Sequence, residues 1–214
     1  NTTEDRTYYY EVFPSNSLEL GLWMESERML HPIINQIGVD TQNEVVKEEK
    51  RLRYDNSPYG EFIPQIKKNI FKNHPYRWTT IGSMDHLDAA TLEEFQAFNK
   101  KFYIPNNAVL VVAGDFKKEQ AKEWIQKYFG SIPKGAPITR QTFVEDPITT
   151  TINAEFEDAN IQIPMLAVAY RTPSMKTHDA RVLDMISTIL SGGKSSRMYK
   201  KIVDDKKMAL EIGA

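Results

Sequence analysis

The sequence predicts an α+β fold, an antiparallel-rich sheet packed against helices, and three features carry that prediction. Apolar, aromatic or β-branched runs of strand length recur at TYYYEVF (7–13), AVLVVAGD (108–115), Thr149 to Phe156 and Gln162 to Tyr170. Longer stretches with apolar residues three and four apart lie between them, as amphipathic helices require. A proline-rich polar segment, SIPKGAPITRQTFVEDP, interrupts both patterns at 131–147, so residues 1–133 and 148–214 read as parts of two domains joined by a linker at 134–147.

The elements follow in order. Pro14 ends the first strand run, and Ser15 or Asn16 can cap a helix over SNSLELGLWMESERML, which Pro32 stops. A second helix covers Asp40 to Tyr54 and breaks at Asp55-Asn56-Ser57-Pro58. A third covers Tyr59 to Phe71, with Ile63, Ile66 and Ile70 on one face. The turn-rich, aromatic HPYRWTTIGSMDHLD reads as a loop. Thr91 to Tyr103 forms a helix carrying Leu92, Phe95, Phe98 and Phe102, and AVLVVAGD suits a strand buried on both faces. Lys117 to Phe129 forms a helix closed by Gly130. After the linker come two strands and a helix from His178 to Leu190, which Gly192-Gly193 ends. Ser195 or Ser196 can then cap a last helix through Lys201.

Composition narrows the function. The 214 residues are 41% hydrophobic and 26% charged, values of an ordinary globular protein, with a net charge of −2. That charge gives no electrostatic attraction to nucleic acid, and no basic run is interleaved with aromatics as a nucleic-acid platform would need. The absence of cysteine excludes disulfides, thiolate nucleophiles and cysteine-based metal sites. No stretch approaches the roughly 18 apolar residues of a membrane span. The chain opens on Asn1, enters directly into a strand-like run and stops at MALEIGA as if another strand were beginning, so it reads as part of a longer polypeptide.

Chemistry concentrates in the helix Asp40–Tyr54. At 100° per residue Gln42, Val45, Val46, Glu49 and Arg53 share one stripe, while Glu44, Lys47, Glu48 and Arg51 lie opposite. Glu49 therefore falls among apolar positions and needs a partner, because an unpaired buried carboxylate costs several kcal/mol. Two partners are open: Arg53 as an i,i+4 ion pair, or a metal ion. The four histidines, His31, His74, His86 and His178, are too far apart in sequence to form a local zinc motif. No nucleophile elbow, P-loop or dinucleotide fingerprint occurs, and GGKSSR is explained by one helix ending and another beginning.

Several stretches together resemble the pitrilysin and insulinase family of zinc peptidases, the inverted-motif group that includes mitochondrial processing peptidase. TTEDRTYYYEVFPSNSLELGLWMESERM is similar to that family's edge strand and following helix, and NEVVKEEKRLRYDNSPYG to its V-x-x-E helix. HPYRWTTIGSMDHLDAAT resembles the turn after that helix, FYIPNNAVLVVAGDF the later strand, and LSGGKSSRMYKKIV the start of a second homologous domain. The likeness implies a zinc site of two histidines and a general-base glutamate from an H-x-x-E-H helix, with a later glutamate as third ligand. On this chain that ligand is Glu49. The H-x-x-E-H segment is expected upstream of Asn1, so no catalytic base is assigned within these residues, and the chain alone is expected to be inactive. A two-histidine, one-glutamate site leaves a position for water acidified enough to attack a peptide carbonyl near neutral pH.

The resemblance further implies that the peptide substrate adds as a strand to an exposed edge, here Asn1, Thr2 and Thr3. It also marks departures. A second glutamate seven residues before the ligand is common in the family, and this chain has Gln42. An arginine and a tyrosine that grip substrate from the second domain align with Val203 and Leu210. Some members divide zinc and grip between two subunits. The resemblance thus implies a zinc metalloendopeptidase working with a homologous second subunit that carries the Arg/Tyr grip. The alternative is a non-catalytic structural or partner subunit.

Overall fold

Four of the seven helices begin where a side chain replaces a missing backbone partner. In the computed structural model, which describes residues 1–214, Asn35 Oδ1 accepts from Gly38 N at 2.8 Å to start one helix. Thr91 and Glu94 form a reciprocal capping box at another, and Thr177 caps the last. The order is α1 (Leu18–Leu30), α2 (Gln36–Lys50), α3 (Phe62–Ile70), α4 (Met84–Ala89), α5 (Leu92–Phe102), α6 (Lys118–Phe129) and α7 (His178–Ser191). A π-helical turn, Arg51–Asp55, prolongs α2, and a second π turn, Tyr199–Asp205, follows α7. Six of the seven helices match stretches whose periodicity predicts them. The exception, α4, lies within the segment read as loop and is started by Ser83, whose Oγ accepts from His86 N.

The expected sheet is absent, and the α+β assignment is corrected to an all-helical one. The single β contact is an antiparallel bridge between Thr2 and Thr7. No backbone N–H of residues 9–13, 109–115, 149–156 or 162–170 donates to another main-chain carbonyl. Most apolar side chains of these runs stand in solvent, with Val109 89% and Leu166 92% exposed, while Val112 and Phe13 pack near α1. The physical reason is that an apolar run specifies a preference for a pleated, half-buried surface and not the partner that makes one. A strand needs a second backbone at ladder distance, and these segments have none.

The chain divides into two compact units, Asn1–Met165 and Leu166–Ala214. The core of the first sits between α1 and α6, where Leu18, Leu22 and Ala121 are buried under Val112, Phe116, Trp124, Ile125, Tyr128 and Phe129. Gly21 belongs to this arrangement for a steric reason: a Cβ there would meet the Phe13 ring at 2.1 Å, so only glycine lets that ring close over α1. At the polar edge of the same contact Glu19 Oε1 accepts from Lys127 Nζ at 2.9 Å and from Tyr128 Oη at 2.8 Å. In the second unit α7 leads to the Gly192-Gly193 turn, where Gly193 adopts φ +85° and the chain reverses toward the second π turn. No helix is long and apolar enough to cross a membrane.

Candidate functional site

The face that α2 turns inward is polar. Lys47 Nζ binds Asp88 of α4 and, at 2.7 Å, Glu44, and its side chain is only 13% exposed. Asn43 Nδ2 donates to the Leu87 carbonyl at 3.1 Å. The Lys47 ammonium is held above its ordinary pKa, first by Asp88 and then by Glu44. These contacts fix the rotation of α2 about its axis, and the opposite stripe is consequently turned outward. Val39 is the one buried residue of the helix.

That outward stripe carries Glu49. Its Oε1 lies 3.1 Å from an Arg53 terminal guanidinium nitrogen, with the glutamate side chain 41% and the arginine 72% exposed. The carboxylate is therefore partnered by Arg53, one of the two possibilities open from sequence, and it is half in water rather than enclosed by apolar side chains. Val45, Glu48, Glu49, Leu52 and Arg53 line an open groove of about 460 Å³. Leu52 and Arg53 also border a neighbouring groove of about 580 Å³, whose walls include Tyr54, Gly60, Ile63, Lys67 and Glu4. Gly60 is required at that wall, since a Cβ would meet the Tyr54 carbonyl oxygen at 2.2 Å.

Asn1, Thr2 and Thr3 form one side of a small exposed hairpin. Thr3 N donates to Arg6 O at 2.8 Å and Tyr8 N to Asn1 O at 2.7 Å, around the Thr2–Thr7 bridge. The hairpin's turn is anchored: Glu4 binds Lys67, and Asp5 Oδ2 accepts from Tyr76 Oη at 2.5 Å. Lys67 holds the Glu4 carboxyl below its usual value, and the bond to Asp5, helped by burial, pushes the Tyr76 phenol up to about 12. Through Glu4 and Arg53 the hairpin and the Glu49 face of α2 border the same groove.

No three His, Asp or Glu side chains converge in a way that could hold a metal. Glu49 offers one carboxylate donor, so these residues alone do not fit a complete zinc site. Gln42 stands exposed on the Glu49 stripe, Val203 is half-buried in the second π turn, and Leu210 is 75% exposed. Sequence reasoning missed the Lys47–Asp88 and Asn43–Leu87 contacts. The one signal available was that Lys47 and Asn43 lie four apart on a single face.

Comparison with known proteins places these residues in context. Residues 89–214, more than half of the chain, match the family model described as the Peptidase M16 inactive domain; Glu49 and Asn1–Thr3 lie before that match. The chain is similar to the zinc protease PqqE of Helicobacter pylori, with 28% identity over 98% of this chain and 48% of that protein. It is also similar to the uncharacterized zinc protease YmxG of Bacillus subtilis, with 21% identity over 99% of this chain and 50% of that protein. Among solved structures, a protease from Helicobacter pylori superposes with a TM-score of 0.74 at 26% identity, covering 92% of this chain and 48% of that one. The first half of the periplasmic protease PqqL of Escherichia coli shares the fold over 62% of this chain and 28% of its own, with a TM-score of 0.55 at 19% identity. The chain spans about half the length of the curated relatives it matches.

Proposed function

The chain belongs to the M16 peptidase family, and on that premise we propose that the whole protein is a zinc-dependent endopeptidase to which these residues contribute one metal ligand, Glu49, and a peptide-binding edge, Asn1–Thr3. On this reading residues 1–133 and 148–214 are parts of two homologous domains, and the histidines and general base come from an H-x-x-E-H helix outside these residues. The observation that carries the proposal is the presentation of Glu49. Lys47 and Asn43 turn α2 so that Glu49, beside Glu48, faces an open groove and pairs there with an exposed arginine.

What the chain's own residues do is orient. Arg53 holds the Glu49 carboxylate at the groove they both line, and the Thr2–Thr7 hairpin lies at the border of the adjoining one through Glu4. A peptide bound there would be held through its main chain, which places little demand on its sequence. In the whole protein Glu49→Gln should weaken zinc affinity by more than the roughly 10–100-fold typical of changes in groups that merely support a ligand. Metal content by mass spectrometry after equilibrium dialysis checks this, and unchanged zinc would refute the ligand assignment.

The second reading is a non-catalytic partner subunit of the same family. It is favoured by the match of 89–214 to the inactive domain and by Gln42, Val203 and Leu210 standing where charge or hydrogen-bond donors are expected. A whole protein that purifies without zinc and acquires none on dialysis would support it.

A further inference from the structure

We propose that Glu145 is a positioning residue that latches the segment Phe143–Glu145 onto the loop after α3 and, through that loop, holds the Asn1–Tyr8 hairpin in place. One carboxylate collects three consecutive backbone donors. Lys72 N lies 3.0 Å from each of its oxygens, and Asn73 N and His74 N lie 2.6 and 2.5 Å from Oε1. Successive N–H groups converging on one carboxylate form an anion-binding concavity, and hydrogen bonds to an ionised group are the strong class. Two neighbours reinforce the contact. Asn73 Nδ2 donates to Val144 O at 3.1 Å, and the Phe143 ring meets His74 edge to face with centroids 5.3 Å apart.

The loop so gripped reaches the hairpin by a short path. His74 Nδ1 accepts from Tyr76 N at 3.2 Å, and the two rings sit 4.1 Å apart. Phe71 packs edge-on against Tyr76 at 5.7 Å, and the Tyr76 hydroxyl donates to Asp5 at the hairpin's turn. Arg77 binds the Lys72 carbonyl and His74 caps the turn that follows, but no backbone carbonyl accepts from the Lys72, Asn73 or His74 amides, which all point to Glu145. With Glu145 removed, those three N–H groups lose the acceptor that orders them. A stretch that reads from composition as a free linker thus acts as a strap.

Amide hydrogen exchange on the whole protein tests the proposal without reference to peptidase activity, so it can fail independently of the zinc reading. In Glu145→Ala, exchange at Lys72, Asn73 and His74 should accelerate at least about tenfold, as loss of charge-assisted hydrogen bonds implies. The Thr3 and Tyr8 amides should accelerate with them, while Leu22 and Ala121 in the α1–α6 core stay unchanged. Glu145→Gln, which keeps one carbonyl acceptor, should give a smaller effect. Tyr76→Phe should accelerate Thr3 and Tyr8 alone. Unchanged exchange at residues 72–74 in Glu145→Ala would overturn the latch, as would equal acceleration throughout the core or equal effects of Ala and Gln. Acceleration at 72–74 without any at Thr3 and Tyr8 would overturn the coupling to the hairpin.

Discussion

Glu49 shows how much a single residue's setting depends on what stands behind it. Its spacing from Arg53 makes the ion pair legible in the sequence, since residues four apart on a helix are neighbours whatever the helix packs against. With the histidines lying outside these residues, Glu49 is expected to face solvent or pair with Arg53, and it does both; helical periodicity alone reads otherwise. The wheel places Glu49 with Val45 and Val46 and so implies burial, whereas Lys47, held by Asp88 of α4, turns that stripe toward water. An exposed pair of this kind contributes about 0–1 kcal/mol. Glu49→Gln should therefore change the unfolding free energy by no more than about 0.5 kcal/mol while removing a zinc ligand. Chemical denaturation of the metal-free protein measures the first effect separately from the second, and a large loss of stability would identify Glu49 as structural.

Among elements, the α1–α6 contact joins the buried Leu18, Leu22 and Ala121 to an ionic edge. Lys127, and after it Tyr128, hold the Glu19 carboxyl below its ordinary value of 4.5. A carboxyl whose folded pKa is depressed adds stability above the unfolded pKa and loses it as pH falls through the lowered folded value. The wild-type melting temperature should accordingly drop as pH falls below about 4.5, and Glu19→Gln should show a shallower drop over the same range while melting lower at neutral pH. Calorimetric scans from pH 7 to pH 3 check both slopes, and parallel curves would exclude this contact as a source of acid sensitivity. Helix starts at Thr91 and Thr177 were legible because their causes are local, each side chain capping within three residues of its own position, whereas α2 starts at Asn35, ahead of the Asp40 expected. The short α4 was missed because its six residues carry too little periodicity to be distinguished from a loop.

For the whole molecule, the split of zinc and substrate grip between two homologous chains, which the family resemblance implies as an expectation, rests on residues that cannot perform the grip. Val203 and Leu210 offer no side-chain hydrogen bond to a substrate. We expect the purified whole protein to show little peptidase activity alone, and a homologous chain carrying the Arg/Tyr pair to raise it by at least about 10²-fold, as positioning contributions of this kind can. A fluorogenic peptide assay with and without that chain measures it, and strong activity of the protein alone would remove the need for a partner.

By itself the sequence determined six helices, the spacing that puts Arg53 within reach of Glu49, and the family resemblance that the comparisons support, because helical periodicity, capping and i,i+4 spacing are short-range properties. Only the tertiary structure decided that the apolar runs at 108–115 and 162–170 stand unpaired, that α2 faces inward through Lys47 and Asn43, and that Glu145 grips Lys72, Asn73 and His74. Each of those outcomes depends on two segments far apart in the chain meeting or failing to meet. Residue order records the preference of each segment for a kind of surface, and the folded chain selects which surface it meets.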